Sequence, residues 1–136
     1  MTRIVVDTNL YISSMINKNS RLRLNMVLEN LANEILINES LLSEIHQVIS
    51  RPKFIKYITS QETRSFLELL SERTTFIETK SVVVFSPDPK DDFLLALRSD
   101  GQADYLVTGD KKDLLDLKKF ESTAIVSLSD FLNLKI

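Results

Sequence analysis

Two short runs in this chain are strand-forming throughout and then stop at an aspartate. Ile4-Val5-Val6 leads into Asp7-Thr8-Asn9, and Tyr105-Leu106-Val107-Thr108 leads into Gly109-Asp110. β-Branched and aromatic runs of this length read as strands. Strands without polar alternation are covered on both faces, as in parallel sheets flanked by helices. In an open α/β sheet, ligands bind in the crevice beyond the carboxyl ends of the strands. The repeated layout therefore puts two carboxylates, Asp7 and Asp110, on one rim.

Helical stretches separate the strands. Leu10, Tyr11, Ile12, Met15 and Ile16 predict a first helix that ends in the polar run Asn17-Lys18-Asn19-Ser20. Leu22, Leu24, Met26, Val27, Leu28 and Leu31 predict a second, with Arg21 and Arg23 in its first turn. Ile35-Leu36-Ile37 reads as the next strand, and Asn38 or Ser40 as the cap of a third helix. Leu41, Leu42, Ile45, Val48 and Ile49 share one arc of that helix. At about 100° per residue, Glu44 falls about 40° beyond Val48, on the edge of the apolar face. Arg51-Pro52 ends the helix.

Thr59-Ser60-Gln61-Glu62 fits a capping box ahead of the stripe Phe66, Leu67, Leu69 and Leu70. Thr75 to Thr79 and Val82 to Phe85 are β-prone and are candidates for a sheet edge. Ser86-Pro87-Asp88-Pro89-Lys90 predicts a rigid turn. Asp91-Asp92 then opens a helix whose following residues, Phe93 to Leu97, are all apolar, as in a helix buried on every side. Gly101 is its natural stop. A short helix at Leu114, Leu115 and Leu117, a strand at Ala124-Ile125-Val126 and a helix capped by Ser127 or Ser129 complete the chain. Strands alternating with helices imply an α/β fold with a central, mostly parallel sheet and helices on both faces.

With 136 residues the chain suits one domain with a sizeable core. The sequence is 43% hydrophobic and 26% charged, which argues against disorder. No apolar run reaches membrane-spanning length, and Met-Thr-Arg-Ile-Val does not begin a secretory signal. The absence of cysteine excludes a disulfide framework and a thiolate metal site. No membrane association is expected, and the cytosol is a compatible location. The formal net charge is -2. Nucleic-acid binders usually carry a basic surplus. That argument weakens if several acids are gathered around metal ions, which would cancel their charge.

Each acid, taken singly, has a structural explanation. Asp7 and Asp110 suit a helix cap and a turn. Asp91 and Asp92 suit the positive end of a helix dipole, Glu44 suits a solvated helix position, and Asp113 and Asp116 suit the surface. The coincidence of Asp7, Glu44, Asp91 and Asp110 raises the functional reading. Carboxylates about 5 Å apart repel by about 3 kcal/mol per pair at an effective dielectric near 20. Several together raise one another's pKa or draw in a divalent cation. With one histidine and no cysteine, oxygen donors dominate, and Mg²⁺ or Mn²⁺ is the natural match. Phosphodiester hydrolysis is the chemistry that most needs such a centre.

Val5-Val6-Asp7-Thr8-Asn9, Glu44 in the third helix, Asp88-Pro89-Lys90-Asp91-Asp92-Phe93-Leu94-Leu95-Ala96-Leu97 and Ala103-Asp104-Tyr105-Leu106-Val107-Thr108-Gly109-Asp110 resemble the PIN-domain family. The likeness spans residues 1–136 as a single PIN-like nuclease domain, closest to the toxin components of prokaryotic toxin–antitoxin systems. It implies an acidic pocket binding Mg²⁺ or Mn²⁺, endonucleolytic cleavage of RNA, a cognate antitoxin and a homodimer. By position, Asp7, Glu44, Asp91 and Asp110 match the family's acidic quartet as catalytic and metal-binding residues. Thr8, Asn9, Asp92 and Thr108 are supporting positions. A further acid that often follows the fourth is displaced by Lys111-Lys112 to Asp113.

Two other readings compete. One is a non-catalytic module that keeps the acids but acts by occupying RNA or a protein partner. The other is an aspartyl-phosphate phosphatase or phosphoacceptor domain built on Asp7. Haloacid-dehalogenase-like phosphatases need an aspartate two residues after the nucleophile, where this chain has Asn9.

Overall fold

The computed structural model describes residues 2–78, 80, 92–109, 115, 118–120 and 122–135. In chain order the elements are β1 (Thr2–Val6), α1 (Thr8–Ile16), α2 (Lys18–Leu28), β2 (Asn33–Ile37), α3 (Glu39–Ile49), α4 (Pro52–Ile55), α5 (Ser60–Arg73), β3 (Thr74–Phe76), α6 (Asp92–Gly101), β4 (Tyr105–Thr108), β5 (Lys119–Phe120), β6 (Thr123–Ser127) and α7 (Leu128–Lys135). The strands form one sheet in the order β3-β2-β1-β4-β6-β5. The first five in that order run parallel. Among the described residues only β5 is antiparallel, on the edge beside β6.

The apolar runs behave as parallel strands buried on both faces. Ile4, Val5, Val6, Ile35, Leu36, Leu106 and Val107 have no exposed surface. Right-handed crossovers that proceed in opposite directions along a sheet set their helices on opposite faces. The chain moves from β1 to β2 through α1 and α2, then returns past β1 to β4 through α6. Accordingly α6 packs on β1 and β2, while α7 packs on β4 and β6 and touches α2. Leu94, Leu95, Ala96 and Leu97 are four consecutive buried residues of α6, as expected for a helix without a polar face.

Side-chain caps set the helix starts. Asn38 accepts from the Leu41 N–H at 2.9 Å, and Thr59 and Glu62 form the predicted capping box. Ser127 Oγ accepts from the Asp130 N–H at 3.1 Å. Asn17 differs from expectation. The polar run Asn17 to Ser20 is no connector; Asn17 caps α2, which already begins at Lys18. Arg21 therefore closes the first turn, and Arg23 lies beyond it. Arg21 turns back on α1, donating from Nε to Ser14 O at 3.0 Å and from Nη2 to Met15 O at 2.9 Å. Carbonyls at the C-terminal end of α1, which lack helical partners, are satisfied there by a cation. Leu31, expected in this helix, lies past its end and is 75% exposed.

Gly101 stops its helix where predicted. It is the last residue of α6 and does not take positive φ; Gln102 does, at 53°. The Ala103 N–H closes the turn on Arg98 O at 3.1 Å, the bond of a Schellman motif. The glycine serves close packing instead: a Cβ there would lie 2.5 Å from Leu36 Cδ1. Pro52 opens the additional short helix α4. Of the two β-prone runs, the first supplies β3. The second, the proline turn and most of the predicted helix at Leu114 to Leu117 lie outside the described residues. The β5 edge was not anticipated.

Tyr11 on α1 has no exposed surface and packs edge-on to Phe66, with ring centroids 6.1 Å apart. Among the described residues its hydroxyl has no hydrogen-bond partner. Tyr11→Phe is expected to gain about 1 kcal/mol in urea unfolding at neutral pH, because an unsatisfied buried group is removed. Burial pushes the phenol's pKa up. The raised folded value means that stability is full below the unfolded phenol's pKa of about 10 and falls above it, by about 1.4 kcal/mol per pH unit. The phenylalanine variant should lack that extra alkaline loss, and matching slopes for both proteins would refute a buried neutral phenol.

Candidate active site

Val6 lies opposite Val107, and the Asp7 N–H donates to Val107 O at 2.9 Å, so β1 and β4 end together. The chain leaves β1 toward one edge of the sheet and reaches β4 on β1's other side. This pair is therefore the point where the winding reverses and where doubly wound sheets open a crevice.

Asp7 stands at that point and is 1% exposed. Two neutral donors orient it. Thr108 Oγ1, itself fully buried, donates to Oδ2 at 2.8 Å. The Asn9 N–H approaches Oδ1 at 3.4 Å, making Asp7 the N-cap of α1. The positive end of the α1 dipole faces the carboxylate. No cation pairs with it among the described residues. Next to it, Thr8 Oγ1 is buried and has no hydrogen-bond partner among the described residues. A buried carboxylate held by neutral groups, with a buried hydroxyl on the next residue, offers oxygen donors of the kind a hard cation takes. Asn9, by contrast, is exposed.

Glu44 is half-buried on α3, which packs against both α1 and α6. The helix carrying Glu44 thus touches both the helix that Asp7 caps and the helix that Asp92 begins. Asp92 begins α6. Asp91, Asp110 and Asp113 lie outside the described residues, as does the Asp92 side chain. Among the described residues no three His, Cys, Asp or Glu side chains gather as a metal site.

The reading of single acids overlooked a cation at this rim. Arg23 on α2 reaches the start of α7 and donates to Ser129 Oγ at 2.5 Å. The residues are 106 apart in sequence, and no local pattern couples them.

Thr108→Val keeps shape but removes the donor to Asp7. A hydrogen bond to a charged group contributes about 1.5–3 kcal/mol, so a loss of that size is expected in urea unfolding. Thr108→Ser should retain most of it. Equal midpoints for the valine variant and the parent would show that this bond contributes nothing.

A parallel sheet with a buried, hydroxyl-anchored aspartate at its switch point is the arrangement of a small α/β domain with a candidate site at its rim. Residues 3–112 match the family model described as PIN domain. The chain belongs to the PIN-domain family. A similar fold occurs in the crystal structure of VapBC2 from Rickettsia felis bound to a DNA fragment from their promoter, with a TM-score of 0.60 and 16% identity over 93% of this chain and 98% of that chain. A domain of a functionally unknown protein from Methanocaldococcus jannaschii is also similar, with a TM-score of 0.52 and 17% identity over 87% of this chain and 85% of that one. No curated protein matches the chain significantly in sequence. Among the described residues, no helix is long and apolar enough to cross a membrane.

Proposed function

We propose that this chain is a divalent-metal-dependent endoribonuclease, acting in the cytoplasm as the toxin of a toxin–antitoxin pair. The observation that carries this reading is Asp7, buried and oriented by Thr108 at the switch point of a PIN domain. Asp7, Glu44, Asp91 and Asp110 would hold Mg²⁺ or Mn²⁺, with Thr8, Asn9, Asp92 and Asp113 around them. When bound, such an ion supplies Lewis acidity for phosphodiester hydrolysis. The chain's own part is orientation. Thr108 fixes one Asp7 oxygen, and the first turn of α1 fixes the other. The packed β1–β4 pair keeps the carboxylate in place without movement during reaction, as electrostatic preorganisation requires. The VapBC2 likeness supports an antitoxin partner for this chain as well, and family resemblance adds a homodimer.

The test is incubation of purified chain with RNA in Mg²⁺, in Mn²⁺ and in chelator, with the products mapped. Metal-dependent internal cuts are expected. Folded protein that binds no Mn²⁺ and cuts no RNA would instead be the non-catalytic binding module.

A further inference from the structure

A cavity of about 260 Å³ opens on the same rim, between α1, α2, the end of β4 and the start of α7. Asn9, Ser13, Ser20, Arg23, Gly109 and Ser129 line it. Asn9 is two residues past Asp7, and Gly109 directly follows Thr108, so the cavity adjoins the candidate centre. Its polar lining consists of hydroxyls, one amide and one guanidinium, with no carboxylate among the described lining residues.

Arg23 differs from the neighbouring arginines in what it binds. Arg3 pairs with Glu34 at 2.9 Å. Arg21 closes α1, and Arg73 donates to Leu28 O at 2.6 Å. Arg23 spends one donor on Ser129 and has no carboxylate partner among the described residues. Ser129 therefore holds a forked cation whose other N–H groups remain for a ligand. The guanidinium fork matches phosphate oxygens, and hydroxyls complete such a seat. A chain of net charge -2 has no general basic surplus. Affinity for a polyanion must then come from local contacts of this kind.

We propose that this cavity seats a backbone phosphate of the bound nucleic-acid strand, neighbouring the one to be cut, with Arg23 as its cation. The inference rests on the nuclease reading and names a substrate subsite for it. The site is distinct from the acidic centre: it positions the strand and exchanges no proton.

The test measures binding of a short single-stranded oligoribonucleotide by fluorescence anisotropy at several salt concentrations. It compares Asp7→Asn with Asp7→Asn/Arg23→Ala, the first substitution preventing cleavage during the measurement. Loss of Arg23 should weaken binding about tenfold. The slope of log affinity against log salt should become shallower by about 0.7, as for one contact on a single strand. Arg23→Lys should restore the slope but only part of the affinity. Unchanged affinity and slope in a folded Arg23→Ala protein would overturn the subsite, as would no measurable binding at low salt. A free mononucleotide that displaced the RNA only when Arg23 is present would reassign the cavity to a small phosphate ester. Cleavage that depends on Asp7 while binding ignores Arg23 would sink the subsite alone. Arg23-dependent binding without any cleavage by the parent chain would sink the nuclease reading alone.

Discussion

Asp7→Asn is expected to reduce RNA cleavage by at least about a thousandfold, several kcal/mol of transition-state stabilisation. The fold should survive. Asparagine is nearly isosteric and among the best N-caps, so α1 keeps its start. The Thr108 hydroxyl can accept as readily as it donates, so the amide can replace the carboxylate in that bond. The expected stability change is therefore below about 1 kcal/mol. Asp7→Ala should behave differently. It removes the cap, at about 1 kcal/mol, and orphans a buried hydroxyl, at a further 1–3 kcal/mol or so. Measuring cleavage rates and urea midpoints for both variants separates chemistry from scaffold. An asparagine variant that cleaves RNA like the parent would show that Asp7 is a cap and nothing more.

Gly101→Val should unfold the protein at markedly lower urea. The added Cβ would sit 2.5 Å from Leu36 Cδ1 and 3.6 Å from Ile77 Cγ1. Leu36 has no exposed surface, lies on β2 and belongs to the main core cluster. It has little room to withdraw, and overpacking of this kind costs about 1–3 kcal/mol or more. Leu36→Ala alone should cost about 2–5 kcal/mol by leaving a cavity. Together the two should cost less than their sum by at least about 1 kcal/mol, because the valine methyls occupy space the leucine vacates. Strict additivity in this cycle would mean that the close approach of α6 to β2 carries no energetic weight.

That contact illustrates where local reading fails. Gly101 looks like a helix stop, and the α6 helix does end there. What requires a glycine at that position is its closeness to a leucine 65 positions earlier in the chain, a fact that no window of sequence contains. Gln102, the residue after it, takes the left-handed conformation that closes the turn. The α1–α2 junction fails for a related reason. Asn17 to Ser20 has the composition of a loop, but Asn17 accepts from two backbone N–H groups of the next helix, and Arg21 closes the previous one. Polarity marks the end of the first helix there, but not that the same asparagine caps the second.

Other features were fully local. The capping box at Thr59, the cap at Asn38 and the wholly buried turn from Leu94 to Leu97 depend on residues within a few positions of one another. The repeated strand-then-aspartate pattern by itself puts Asp7 at a sheet rim. Its reach is bounded by what a strand's own residues encode: that it is buried on both faces, and where it ends. Pairing of β1 with β4, across 101 residues from Asp7 to Thr108, was decided by the winding of the whole sheet. So was the meeting of Arg23 with Ser129. Apolar periodicity, caps and turn chemistry are short-range properties, and the sequence alone determines them in this protein. The strand order and the partners of each polar group depend on packing the two helical layers against one sheet, and only the tertiary structure decided them.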